Sequence, residues 1–185
     1  MTRALIVIDI QRGFDDLAFW GPTTNPDCEA NVAALLRRWT SEGEPVVVVR
    51  HDSLTAGSPL HPMAAGNALV DAVASVEPDV LVTKNVNSAF YGDPDLHAWL
   101  GERGIRDLVI CGIQTNMCVE TTARMAGNLG YDVTVALDAT RTFDLTGDIA
   151  GVGPVSRTAA ELVADTALVL QQGGFARIVR TADLL

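Results

Sequence analysis

Lysine is almost missing from this chain. Its 185 residues include twelve arginines but one lysine, Lys84, and the formal net charge is −10. So little positive charge leaves no basic face of the kind nucleic acid requires, and no nucleic-acid partner is expected. Cysteine is scarce as well. Cys28, Cys111 and Cys118 make an odd set without framework spacing, which excludes a disulfide scaffold and fits a reducing cytoplasm. No apolar run approaches membrane-spanning length, and the first apolar run ends at Asp9 without a signal-peptide layout. A cytoplasmic protein with no membrane partner is therefore expected. There is no Gly-x-Gly-x-x-Gly, P-loop or His-x-x-x-His pattern, so nucleotide and metal binding lack motif support.

What remains is ordinary globular material, 48% hydrophobic and 19% charged. That balance argues against wholesale disorder, and residues 1–185 read as a single domain able to bury a real core. Ala4–Ile8, Val46–Val49, Val80–Thr83, Asp107–Cys111, Val133–Leu137 and Ala176–Val179 are short, continuous apolar runs, the pattern of strands buried on both faces.

Helical patterns separate these runs. Val32, Leu35, Leu36 and Trp39 share one face of a helix starting near Pro26, with Asn25 as its N-cap. A modest helix covers Ala68–Val76, and Asp93-Pro94 caps one bearing Leu96, Trp99 and Leu100. Another helix runs from about Cys118 to Leu129, and Thr158 and Glu161 have capping-box spacing before the last. Asp144–Val155, with three glycines and a proline, reads as a loop. Strands alternating with helices imply an α/β fold: a three-layer α/β/α sandwich on a six-stranded, mainly parallel, Rossmann-like sheet. Ligands in such folds bind beyond the carboxyl ends of the strands.

Three chemically useful residues fall at or just after such ends. Cys118 follows a glycine-containing turn at the start of a helix. It is either a buried structural thiol or a nucleophile, and helix N-termini favour thiolate through free N–H groups and a partial positive charge. Asp9 could order a βα turn or act as a base. An Asp-x-Asp phosphatase is excluded because Gln11 stands at the second position. Lys84 is either a solvated side chain or a compact ammonium suited to a site. If its strand is a sheet edge, Lys84 must reach back over its neighbour, about two spacings of ~4.8 Å each. Among the histidines, His97 reads as structural, whereas His51 (beside Asp52) and His61 flank a long loop and could approach the site. Cys111 reads as core and Cys28 as incidental.

With Val7-Ile8-Asp9-Ile10-Gln11, Phe14, Lys84 with Ser88 and Phe90, Gly112-x-x-Thr115-x-x-Cys118-Val119 and Asp138-Ala139-Thr140 in this order, the chain resembles the isochorismatase-like cysteine hydrolases. The resemblance implies a triad of Asp9, Lys84 and Cys118, and a cis peptide between Ile113 and Gln114. It also implies an oxyanion hole from the backbone N–H groups of Gln114 and Cys118. The implied reaction is hydrolysis of an amide, ureido or lactam C–N bond of a small molecule through a thioester. Phe14, Trp20, Asn87, Phe90 and Met117 are the candidate substrate-binding residues. A homo-oligomer, dimer or tetramer, is the implied assembly.

Nicotinamidases of that family carry an Asp-x-His metal pair after the second strand. Here the stretch is Arg50-His51-Asp52-Ser53, so neither a metal nor another cofactor is expected. His51-Asp52-Ser53, Asn87-Ser88-Ala89-Phe90 and Thr121-Thr122-Ala123-Arg124 also carry a likeness to amidases that open a lactam in streptothricin. The alternatives are hydrolysis of another bond, as in the isochorismatases proper, or a non-catalytic binding member of the fold.

Overall fold

The computed structural model describes residues 2–185. Its strands are β1 (Arg3–Ile8), β2 (Val46–His51), β3 (Val80–Lys84), β4 (Asp107–Ile113), β5 (Asp132–Arg141), β6 (Leu145–Ile149), β7 (Gly153–Arg157) and β8 (Arg177–Val179). Its helices are α1 (Leu17–Trp20), α2 (Cys28–Glu42), α3 (Asp71–Ala74), α4 (Leu96–Glu102), α5 (Glu120–Asn128) and α6 (Ala159–Gln172). Six strands form one sheet in the order β3-β2-β1-β4-β5-β8, and every neighbouring pair is parallel.

The continuous apolar runs are explained by burial on both faces. On β1, Leu5 and Val7 pack with Val32, Leu35, Leu36 and Trp39 of α2. Ala4, Ile6 and Ile8 face the other way, toward Leu96 and Leu100 of α4, Ala123 and Ala126 of α5, and Leu170 of α6. Each of the valine, leucine and isoleucine side chains among these contributes roughly 1.5–3 kcal/mol when fully buried. The α6 capping box forms as expected: the Thr158 hydroxyl accepts from Glu161 N–H and the Glu161 carboxylate accepts from Thr158 N–H.

Four local expectations need correction. The 144–155 segment is not a loop: β6 and β7 pair as an antiparallel hairpin, with Asp148 opposite Pro154. A two-stranded ribbon consists only of edges, where a proline's missing N–H need not break a ladder. Asn25 does not cap α2; its side chain donates to the carbonyls of Leu137 and Thr140, and α2 begins at Cys28. Asp93 does not cap α4 because its backbone pairs with Thr83, and Asp95 takes the role by accepting from Ala98 N–H. The 68–76 helix shrinks to α3, since Leu69 bridges to Gln11 instead.

The chain moves outward from β1 through β2 to β3, then returns to place β4 on the other side of β1. This reversal opens a crevice at the carboxyl ends of β1 and β4, the usual ligand position in such sheets. Gly112 makes their close approach possible. Its φ is +128°, and a Cβ there would lie 2.0 Å from the Ile8 carbonyl oxygen, immediately before Asp9.

Candidate active site

Asp9 leaves β1 with φ +53°, its N–H donating to the Val49 carbonyl, and its side chain is fully buried. Lys84 ends β3, the edge strand, in register with His51 on β2. Its stem lies over the end of β2, as an edge position requires. The ammonium is 2.5 Å from Asp9 Oδ2, 3.1 Å from His51 Nδ1 and 3.4 Å from Cys118 Sγ. Three strand ends and one helix start thus converge on a single nitrogen.

Cys118 sits in a wide helical turn, Thr115–Val119, which runs directly into α5. The Met117 and Val119 N–H groups both donate to the Gln114 carbonyl. The Ile113–Gln114 peptide is cis. This turn is tied to β5 and the residue after it: Thr115 donates its hydroxyl proton to Thr140, and Thr142 donates to Asn116 Oδ1. At its end β5 carries an irregularity, with Ile110 opposite Val135 but Gly112 opposite Thr140. The extra residues bring Thr140 to the turn, and Asn25 and Asn31 satisfy the displaced carbonyls of Leu137, Asp138 and Thr140.

The electrostatics correct one expectation. Burial pushes the Cys118 thiol up to about 12; the Asp9 carboxylate adds to this and the Lys84 ammonium opposes it. Desolvation is the largest of these influences, and it favours the neutral thiol. The acceptor for its proton is at hand. Asp9 Oδ1 is buried without a hydrogen-bond partner among the described residues, and the carboxylate lies within 4.8 Å of the sulfur. Burial, then the Lys84 charge, lower His51 below its ordinary value.

Asp9, His51 and Cys118 would suit a soft divalent metal by donor type, and their ligand atoms lie within 4.8 Å of one another. The Lys84 ammonium already lies among all three, however, and a metal would have to displace it. Nor is Asp52 a free ligand, because it is held bidentately by Arg50 and accepts from Asn67. The residues present do not fit a catalytic metal.

The candidate binding residues divide. Asn87 Oδ1 reaches to 4.0 Å from Cys118 Sγ, and Met117 is half-buried in the adjoining turn. Phe90 instead faces the core, stacked on Tyr131 at 5.7 Å. Phe14 is buried between Trp20 and Phe143, and Trp20 donates its indole N–H to the Gly13 carbonyl. These three aromatic residues pack against one another. A groove of about 660 Å³, lined by Asn85, Val86, Asn87, Ser88, Tyr91 and Thr121, opens beside Asn87. A smaller cleft of about 330 Å³ reaches Lys84 past Leu54, Asn85 and Tyr91. His61 lies elsewhere, in a cavity with Arg12 and Met63. Cys28 is buried in the core at the start of α2.

Two residues at the site were missed. The Gln11 side chain accepts from His51 N–H and donates to the carbonyls of His51 and Asn67. Asn67 in turn donates to His51, Asp52 and Leu60. Position two after Asp9 was the only available signal for Gln11; nothing in the pattern marked Asn67.

Residues 3–165 match the model of the isochorismatase domain family. The chain belongs to the isochorismatase family. Within that family it is 38% identical to the uncharacterised protein YrdC of Bacillus subtilis, over 77% of this chain and 75% of that one. It is 32% identical to nicotinamidase 3 of Arabidopsis thaliana, covering 76% and 74%. Streptothricin hydrolase of Streptomyces noursei is also 32% identical, over 78% of this chain but 51% of its own length. The fold superposes on that of an isochorismatase-family protein from Chromobacterium violaceum with a TM-score of 0.89, at 36% identity, over 99% and 91% of the two chains. An isochorismatase-family α/β hydrolase fold thus surrounds the Asp9–Lys84–Cys118 cluster.

Proposed function

We propose that this chain hydrolyses a C–N bond of a small amide, ureido compound or lactam, with Cys118 as nucleophile. The observation that carries the reading is the single ammonium touching both Asp9 and Cys118 while the second Asp9 oxygen has no hydrogen-bond partner among the described residues. Relatives named for hydrolysis of nicotinamide and streptothricin support the bond type.

In the first step Asp9 Oδ1 takes the thiol proton as Sγ bonds to the substrate carbonyl carbon. Burial favours the neutral thiol and an Asp9 oxygen unpaired among the described residues lies within reach of it, so proton transfer accompanies attack. Lys84 offsets the negative charge as it moves from carboxylate to sulfur. The backbone N–H groups of Gln114 and Cys118 hold the oxyanion; loss of one such donor typically costs about 10²–10³ in rate. Collapse breaks the C–N bond, and Asp9 returns the proton to the leaving nitrogen. Water then attacks the thioester, Asp9 takes one of its protons, and cleavage of the C–S bond returns that proton to sulfur. The substrate approaches along the groove beside Asn87, with Met117 on its flank.

The test is an ammonia- and amine-release screen across amides, ureido acids and lactams, run beside Cys118→Ala. Release that disappears in the variant fits the assignment; near-normal turnover in the variant removes Cys118 as nucleophile.

A further inference from the structure

His51 touches the cluster, yet the reaction above gives it no task. We infer that His51 is the positioning residue of Lys84, its imidazole held neutral with the proton on Nε2 so that Nδ1 anchors the ammonium over Asp9 and Cys118. The inference rests on the site reading above.

The tautomer follows from the inventory of donors. An ammonium has three protons and no acceptor, so each of its partners must accept. Lys84 has three such partners: Asp9 Oδ2 at 2.5 Å, Cys118 Sγ at 3.4 Å and His51 Nδ1 at 3.1 Å. A lone pair on Nδ1 leaves the neutral ring's proton on Nε2. The need for an anchor follows from the topology. Lys84 projects from an edge strand across β2 on a flexible four-carbon stem, and only a contact from β2 can fix where that stem crosses. His51 stands at that crossing, directly in register with Lys84.

The anchor is itself fixed. Gln11, 1% exposed, binds both backbone groups of His51, accepting its N–H at 2.9 Å and donating to its carbonyl at 3.0 Å. The Gln11 amide nitrogen also donates to the Asn67 carbonyl at 2.8 Å, and the Asn67 side chain donates to the His51 carbonyl at 3.2 Å. A strand end without a task would not need this much restraint.

Charge gives the arrangement a direction. The groups facing His51 are Lys84 from β3, Asp9 from β1, Cys118 from the turn before α5, and Asp52 beside it in the chain. Burial and Lys84 disfavour the imidazolium, while Asp9 and Asp52 favour it, and the net shift is downward. A protonated His51 has no lone pair for the ammonium and repels it, so Lys84 leaves its place over the sulfur. Protonation of His51 therefore inactivates the site.

Two measurements test this. In long-range proton–nitrogen NMR spectra of the wild-type protein, which has three histidines, His51 should show the Nε2–H tautomer and titrate below 6.5. An Nδ1–H tautomer, or titration at or above 6.5, overturns the inference. The second measurement is the rate of Cys118 alkylation by iodoacetamide across pH, with Cys118→Ala identifying the modified site. His51→Leu should slow alkylation at pH 8 by about tenfold or more, the worth of a charge-assisted hydrogen bond. His51→Asn, which offers a non-titrating oxygen near the Nδ1 position, should restore most of that rate and remove the acid-side step. Equal losses in both variants, or an unchanged acid step in His51→Asn, overturn the positioning role. A Cys118→Ala protein that still turns over sinks the reading of the reaction but leaves the wild-type tautomer result standing.

Discussion

Asp9 and Lys84 form an ion pair with neither side chain exposed, although the strands that carry them are not neighbours and β2 lies between them. Burying two charges costs several kcal/mol per ion, which close pairing and further hydrogen bonds must offset. Lys84 has those bonds, to His51 and Cys118. Asp9 keeps one oxygen unpaired among the described residues. The site holds a base in readiness at some cost to the fold.

Removing the cation should therefore do more than stop turnover. Lys84→Met leaves Asp9 buried beside no positive charge, and breaking such a pair from one side costs about 3–5 kcal/mol. Urea unfolding should show a midpoint lowered to match; a midpoint within 0.5 kcal/mol equivalents (roughly the surface-substitution range) would show that the pair is not buried as described.

The thiol makes the protein sensitive to base. Cys118 has its pKa raised from 9.0 to about 12 in the folded chain. A raised folded value means the native state holds its proton while the unfolded chain loses it. Stability is thus full below pH 9 and is lost as pH rises from 9 toward 12, by about 1.4 kcal/mol per pH unit for each such thiol. Cys28, also raised to about 12, adds the same trend. Unfolding free energies measured from pH 8 to 11 should fall, and Cys118→Ala should make the fall shallower by about one proton's slope. An unchanged slope would contradict the buried neutral thiol.

Gly112 tolerates no side chain. A Cβ would stand 2.0 Å from the Ile8 carbonyl oxygen, on a backbone already at φ +128°. Gly112→Ala should cost more than about 3 kcal/mol, because backbone on both strands must move. Thermal unfolding provides the check, and a nearly unshifted midpoint would show that β1 and β4 are not so closely apposed.

Exhaustive chelation should leave the rate unchanged, since Lys84 lies where a metal on Asp9, His51 and Cys118 would sit. Loss of turnover on chelation, restored by added zinc or manganese, would overturn that assignment.

The sheet was legible because each strand is buried on both faces, so its residues form an unbroken apolar run, as Leu5, Ile6 and Val7 do. The chemistry was legible where a reactive side chain stands at the end of such a run: Asp9, Lys84, Cys118. The β6–β7 hairpin was hidden because its glycines and proline, tolerable in a two-stranded ribbon, resemble a loop in the sequence. The grip of Gln11 on His51 and Asn67 spans 40 and 56 residues of chain, and no local pattern records such a bond. The environment of the Cys118 thiol is hidden from the sequence for a related reason. A helix start is visible in the sequence, but the burial that raises the thiol comes from distant segments packed around the sulfur.

The most direct test of the central claim is the intact mass of the protein, quenched in acid during turnover of whichever amide or lactam releases amine in the screen. A covalent adduct equal to the acyl part of the substrate, localised by digestion to the peptide carrying Cys118 and absent from Cys118→Ala, is the expected result. Full turnover with no adduct at any quench time, or an adduct that persists in Cys118→Ala, would contradict a thioester on Cys118.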